Sequence, residues 1–230
     1  MPSVANRLID GLPRKARSRL LAVSESVELG LAQVLYDCDA EAQHIYFPTG
    51  STLSLWTSPA VLPVMEVAMV GNEGMLGSHI ALGVSTAATF AKVHEAGPAW
   101  RVPVDDFKSQ LISSAALQQS VNRYLHVMIL QGVCMTRCST FHSLNQRLAR
   151  WLLTAHDRAN KDTFSVTQEL MASMLGVRRV GITTAAVGLQ RRAVIDYSRG
   201  EVTILDRTAL EAAACSCYAA DSRTYSKFLT

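Results

Sequence analysis

Arg178 and Arg179 stand side by side at the head of an amphipathic run, with Val180, Thr183 and Thr184 following on its polar side. A guanidinium fork bonds bidentately to guanine in the major groove, and a helix start favours phosphate, so this pair suits contact with DNA. The residues before it explain how it would be presented. Thr167 suits an N-cap, and Leu170, Met171, Met174 and Leu175 recur at helical spacing up to Gly176, a residue fitted to a left-handed turn. The second run keeps Val177, Ile182, Ala186 and Leu189 inward and turns Arg179, Val180, Thr183 and Thr184 outward. That is the grammar of a helix-turn-helix. Val194 to Leu205 then reads as two short strands about a turn at Arg199-Gly200, which adds a basic wing tip beside the basic helix. The simpler reading, a helical hairpin with a solvated charged face, leaves the wing unexplained. Gly181 and Gly188 each cost about 1 kcal/mol against Ala inside a helix, which implies close packing or close approach at those points.

Charge is distributed to match. The 230 residues carry a net charge of only +3, but residues 1–139 hold 10 basic and 11 acidic residues and residues 140–230 hold 12 and 8. The basic end carries the helix-turn-helix, as an electrostatic footprint for DNA requires. No apolar run reaches membrane-spanning length and the first ten residues lack a signal-peptide apolar stretch, so a cytoplasmic protein with no membrane partner is expected.

Other elements must hold this head in place. Residues 6 to 21 read as one short helix. From Val27 to Val104 short apolar runs are punctuated by Gly, Pro, Asp and Ser: Val34 to Tyr36, Ile45 to Phe47, Thr52 to Trp56, Val64 to Val70, Phe90 to Val93 and Trp100 to Val104. Many short strands at such spacing predict a β barrel or roll. Asp105-Asp106 reads as the cap of a helix beginning at Phe107. Between Ala115 and Arg137, Leu117, Val121, Tyr124, Met128, Gln131 and Met135 alternate in steps of four and three. A stripe that long predicts pairing with its copy in a second chain; the alternative is packing on its own roll. A further helix, His142 to Arg158, turns Leu144, Leu148, Trp151 and Leu152 inward, with a hinge before it near Ser139 and Thr140.

Rival chemistries find little support. There is no Gly-x-Ser-x-Gly elbow, no His-Glu-x-x-His and no suggestive carboxylate pair, so no catalytic residue is assigned and an enzyme is not expected. Gly71 to Gly77 lacks the Gly-Lys-Ser/Thr ending of a P-loop. Five scattered cysteines make no disulfide framework. Cys134 and Cys138, one helical turn apart, could share a metal with a partner's pair or oxidise across an interface, and Cys215 with Cys217 are too few for zinc by themselves. All are read as reduced thiols, with no metal and no cofactor.

The order of these parts resembles the Crp/Fnr family of bacterial transcription regulators over the whole chain. The resemblance is carried by His44-Ile-Tyr-Phe-Pro-Thr-Gly-Ser51, Val70-Gly-Asn-Glu-Gly-Met-Leu-Gly77, Gln146-Arg-Leu-Ala-Arg-Trp-Leu-Leu153 and Thr167-Gln-Glu-Leu-Met-Ala-Ser-Met-Leu-Gly-Val-Arg-Arg179. It implies an α+β fold: an N-terminal double-stranded β-helix, a jelly-roll-like β roll of the cyclic-nucleotide-binding type, over residues 1–114, a long central dimerisation helix over 115–138, and a C-terminal winged helix-turn-helix over 139–230. It implies a homodimer on a palindromic operator of double-stranded DNA, one recognition helix per half-site, the half-sites about 34 Å apart. RNA polymerase joins the partners if the regulator activates. By position, Thr167 and Gln168 fall where the family touches phosphate and Arg179 where an arginine reads guanine; Arg178, Val180, Thr183, Thr184 and Arg199 complete the expected DNA-contacting set. The chain departs from the family at Arg178-Arg179-Val180, commonly Ser-Arg-Glu, and at Thr184, which replaces a second base-reading arginine. It also lacks the arginine that grips a cyclic phosphate: Ala87, Ala88 and Thr89 stand there, and Lys92 is the only Lys or Arg between Arg19 and Arg101. The effector is therefore unknown and not expected to be cyclic AMP. Iron-sulfur members cluster four cysteines that this chain does not, and His79 is read as an ordinary polar residue and not a haem ligand. The competing functional class is a ligand-binding or protein-interaction module without sequence-specific DNA binding.

Overall fold

Residues 6–60, 62, 64–159 and 162–229 are described by a computed structural model. The chain divides into two compact units, one of Met1–Leu62, Val67–Ile129 and Tyr225–Thr230, the other of Pro63–Glu66 and Leu130–Thr224.

The first unit opens with two short helices where the sequence suggests one. Asn6 caps α1 (Arg7–Asp10) by accepting the Ile9 N–H at 3.4 Å, and Pro13, which has no N–H to give, starts α2 (Arg14–Ala22) afresh. Seven strands follow: β1 (Glu25–Leu29), β2 (Val34–Tyr36), β3 (His44–Pro48), β4 (Thr52–Trp56), β5 (Glu66–Val70), β6 (Phe90–Glu95) and β7 (Gly97–Pro103). They form two sheets, ordered β1-β7-β3 and β2-β6-β4-β5, which enclose the expected roll. β1 escaped the sequence reading because its Glu25-Ser-Val-Glu-Leu29 is mostly exposed and carries little apolar alternation. The core of the roll includes Ile45, Phe47, Leu53, Ala91, Val93 and Val102. α3 (Val104–Ser113) begins before Phe107, so Asp105 and Asp106 lie in its first turn and make no cap bond; their charge suits the helix dipole, and Asp105 also lies 3.9 Å from Lys108 Nζ.

α4 (Ala115–Phe141) is one continuous 27-residue helix, and part of the stripe expected to pair with a second chain is covered by the chain itself. Leu117, Val121 and Tyr124 are buried in the core of their own roll, and Tyr124 lies so close to Gly74 that a Cβ there would sit 2.5 Å from its hydroxyl. Met128 packs on the same core and its sulfur meets Ser78 Oγ at 3.7 Å, Gln131 is half-buried, and the Met135 sulfur meets Arg150 Nη1 at 3.4 Å. The row one residue later holds Gln118, Asn122, Leu125, Ile129, Gly132 and Thr136 in the same steps of four and three; Asn122, Ile129, Gly132 and Thr136 are exposed, whereas Gln118 is half-buried and Leu125 packs on the core. One residue is 100° of helix rotation, enough to exchange the face turned to the roll for the face turned to solvent. Ile129 is 66 % exposed and the neighbouring Val133 64 %.

The second unit is built on α5 (Leu144–Ala159), followed by β8 (Thr163–Ser165), α6 (Gln168–Leu175), α7 (Arg179–Arg191), β9 (Ile195–Ser198), β10 (Glu201–Ile204), α8 (Arg207–Ala213) and α9 (Cys217–Phe228). The hinge before α5 falls at His142-Ser143, beyond the expected Ser139 and Thr140, which are still helical. Ser143 and Gln146 form a capping box: Gln146 Oε1 accepts the Ser143 N–H at 3.1 Å and Ser143 Oγ accepts the Gln146 N–H at 3.5 Å. α5 buries Leu148, Ala149, Trp151, Leu152, Leu153 and Ala155, a full apolar face.

Burial of the roll's histidines gives its stability a pH dependence. His44, His79 and His94 all have lowered pKa values, each chiefly through burial, and His94 falls to about 4 with Lys92 acting in the same direction. Below the ordinary imidazole value of about 6.5 the unfolded chain takes up protons that the folded chain refuses, so folding stability declines as pH falls from there towards about 4. The expected slope is at most about 1.4 kcal/mol per pH unit per histidine, and urea midpoints measured across that window check it. His94→Gln should make the profile shallower.

Candidate nucleic-acid interface

α6 and α7 have the short connection and the angle of a helix-turn-helix. Thr167 Oγ1 accepts the Leu170 N–H at 3.1 Å and starts α6; Gly176, at φ 61°, ends it in the left-handed conformation. The Val177 N–H then bonds the Ala172 carbonyl at 2.9 Å, and α7 leaves at 109° to α6. A side chain of α5 secures the turn, because Arg147 donates to the Leu175 carbonyl. Met171, Met174 and Leu175 of α6 are buried, as are Ile182, Ala185, Ala186 and Leu189 of α7, which fixes the face α7 leaves outside.

Gly181 is explained by packing alone: a Cβ there would stand 2.8 Å from Leu144 Cδ2 of α5. Among the described residues, and apart from α7's own backbone and Gly188's chain neighbours, no atom lies within 4 Å of a Cβ built on Gly188, so packing does not account for that glycine.

The outer face carries the residues expected of it. Thr167, Arg178, Arg179, Val180, Thr184 and Arg199 are exposed, and Gln168 and Thr183 are half-exposed. Arg178 precedes α7 without a side-chain cap bond, so no side chain of its own occupies the helix's leading N–H groups. Thr183 Oγ1 donates to Gln168 Oε1 at 2.7 Å, tying the first helix to the second at the surface. Thr184 Oγ1 bonds back to the Val180 carbonyl at 3.0 Å.

The wing has the geometry that its residues dictate. β8, β10 and β9 form an antiparallel sheet in that order, and β9 turns into β10 through Arg199 and Gly200 at φ 52° and 82°. Two positive φ values in a two-residue loop are the type I′ hairpin turn, which glycine accepts readily and Arg199 occupies under mild strain. The Gly200 carbonyl accepts the Val166 N–H at 2.8 Å, and a Cβ on Gly200 would lie 3.9 Å from Thr167 Cγ2. The wing tip therefore stands next to the start of α6, and Arg199 extends the basic surface.

Two residues of this face were missed by the sequence reading. Arg179 Nη1 lies 2.7 Å from Glu169 Oε1, both side chains well exposed. An acidic residue in a first helical turn is ordinary, so nothing in the sequence signals that Glu169 pairs with an arginine ten positions on. Tyr197 of β9 lies beside the same pair; burial chiefly raises its pKa and the Glu169 charge adds to the shift. Its carbonyl accepts from Gln190 Nε2 at 3.0 Å, which fastens the wing to α7.

Residues 146–213 match the Crp-like helix-turn-helix domain. Among solved structures, the chain is similar to FixK2 from Bradyrhizobium japonicum, at 11 % identity and a TM-score of 0.71 over 84 % of this chain and 98 % of that one. It is similar to TTHA1359, a Crp/Fnr-family transcriptional regulator from Thermus thermophilus, at 17 % identity and a TM-score of 0.68 over 83 % and 98 %. It is similar too to the c-di-GMP-responsive global regulator CLP of Xanthomonas campestris, at 12 % identity and a TM-score of 0.68 over 84 % and 99 %. At these identities the likeness is one of fold. No curated protein matches the sequence. Residues 146–213 thus carry a Crp-like helix-turn-helix domain, held within a fold that these regulators share over most of its length.

Proposed function

We propose that this protein is a DNA-binding transcription regulator that grips a palindromic operator as a homodimer, α7 of each protomer entering a major groove and the Arg199 turn resting on the flanking phosphates. The observation that carries this reading is the exposed array of Arg178, Arg179, Thr184, Thr167 and Arg199 on one face of the helix-turn-helix. Its residue types are those that bond base edges and phosphate. Self-association is assigned to the exposed row of α4 through Asn122, Ile129, Gly132 and Thr136, with Val133 beside it. A second copy of the same helix is its natural cover, because the steps of four and three suit two helices winding together.

The roll is proposed to take no cyclic AMP in the family's arginine-dependent manner. Lys92, the one Lys or Arg in that stretch, lies 4.5 Å from the Trp56 ring centroid. Ala87 is buried, its N–H bonded to the Ala40 carbonyl and its carbonyl to the Asp39 N–H. The Lys92 ammonium thus rests over an aromatic face, and the Ala87 N–H is already bonded. We assign no effector.

The test is binding to labelled random duplex DNA over a salt series. If three arginines from each of two protomers displace counterions, affinity should fall about 10³-fold between 50 and 200 mM salt. A protein-interaction module would bind weakly or without such a slope, and that result would sink the proposal.

A further inference from the structure

Four side chains far apart in the sequence meet in the second unit. Cys138 lies in the last turn of α4 and His142 one turn beyond it, where the His142 N–H still bonds the Cys138 carbonyl at 3.2 Å. Cys215 and Cys217 bracket the entry to α9. One ligand atom from each, three sulfurs and a ring nitrogen, lies within 4.8 Å of all the others. Cys138 Sγ is 3.5 Å from Cys215 Sγ, and Cys217 Sγ is 3.6 Å from His142 Nδ1. The three cysteines are buried and the histidine half-buried.

We propose that Cys138, His142, Cys215 and Cys217 form a mononuclear tetrahedral site for Zn²⁺ or a closely similar thiophilic divalent cation. With metal–sulfur bonds of about 2.3 Å and a metal–nitrogen bond of about 2.0 Å, tetrahedral geometry puts two sulfurs about 3.8 Å apart and sulfur from nitrogen about 3.5 Å. The Cys138–Cys215 and Cys217–His142 separations lie within a few tenths of an ångström of these, and the other pairs lie within 4.8 Å. An iron–sulfur cluster, with sulfides and several irons between its cysteines, needs a wider cage. The ligand set is that of a closed structural zinc site, in which no position is left for water or substrate.

The surroundings suit the charge. Zn²⁺ with three thiolates and a neutral imidazole carries one net negative charge, and binding releases up to three thiol protons. Arg150, ion-paired with Asp221 at 2.5 Å, interacts electrostatically with both Cys138 and Cys134, and its buried Nε–H has no hydrogen-bond partner among the described residues. A guanidinium so placed offsets the anionic site. Cys134 lies one turn before Cys138 and meets the Cys217 carbonyl at 3.8 Å, outside the four-ligand set. With metal bound, the end of α4 and the α4–α5 hinge are stapled to the turn between α8 and α9. The metal site is independent of DNA recognition.

The experiment is titration of the full-length, fully reduced chain with Co²⁺ under anaerobic conditions. One equivalent should produce thiolate-to-cobalt charge transfer in the near ultraviolet and tetrahedral d–d bands in the visible, and one equivalent of Zn²⁺ should bleach both. Cys138→Ser and Cys215→Ser should lose or shift these bands, whereas Cys38→Ser should keep them, with circular dichroism reporting the fold of each. Because a cysteine variant in this core can misfold, a second measurement uses the wild-type chain alone: Zn²⁺ should protect three of the five cysteines from alkylation, identified by peptide mass. Absence of a tetrahedral thiolate spectrum in the reduced wild-type chain overturns the proposal. So does unchanged alkylation, or a Cys138–Cys215 disulfide whose reduction is followed by no metal uptake.

Discussion

Arg179→Ala should weaken binding to the preferred duplex by about 1 to 3 kcal/mol, roughly five- to 150-fold, with little change in the unfolding midpoint. The side chain is 64 % exposed and its one ion pair, with Glu169, is a surface pair worth about 1 kcal/mol or less, so the fold loses little. The interface loses a bidentate donor from the first turn of α7, where a recognition helix meets base edges. The duplex is first selected from a random library, and wild type and variant are then compared on it and on a scrambled duplex. A larger loss on the selected duplex identifies Arg179 as a base reader; an equal loss on both makes it a phosphate contact and removes it from specificity. Glu169→Gln supplies the opposite sign. It frees Arg179 and removes a negative charge from the face, so affinity for both duplexes should rise.

Ile129→Glu should turn a dimer into a monomer. Ile129 is the most exposed apolar residue in the middle of the free row on α4, and a carboxylate there would face its own copy across a two-fold axis. Two buried like charges without partners are strongly destabilising to an interface, while an exposed site in the monomer tolerates the change. Sedimentation at micromolar concentration should give twice the chain mass of 25.0 kDa for the wild type and the single mass for the variant. Losing the second reading head should also reduce operator affinity by about 10²- to 10⁴-fold, because the second contact is no longer intramolecular. A wild-type chain that sediments at the single mass, or a variant that stays dimeric, would remove this row from the interface.

The contrast between these two sites shows what kind of information lies in the chain. The helix-turn-helix was legible because each of its signals acts within a few residues. Thr167 caps with its own hydroxyl, Gly176 supplies the left-handed turn, and Arg199-Gly200 closes a two-residue hairpin, whatever the rest of the molecule does. The apolar positions of α5, α6 and α7 likewise fix their buried faces by spacing. The strands of the roll could be read from short apolar runs, except β1, whose exposed edge leaves little pattern.

What remained hidden depended on partners distant in sequence. Along α4, two rows offset by one residue have the same steps of four and three, and both contain apolar residues. Only the roll, by burying Leu117, Val121 and Tyr124, decided which row is covered within the chain and left Ile129 exposed on the other. The Glu169–Arg179 pair required the turn that folds one helix against the next. The gathering of Cys138, His142, Cys215 and Cys217 required a contact across more than seventy residues. Capping, turn chemistry and periodicity are local interactions and are written in the sequence directly. The phase of a helix and the meeting of distant ligands are settled when the chain chooses which surfaces to bury, and that choice belongs to the tertiary structure.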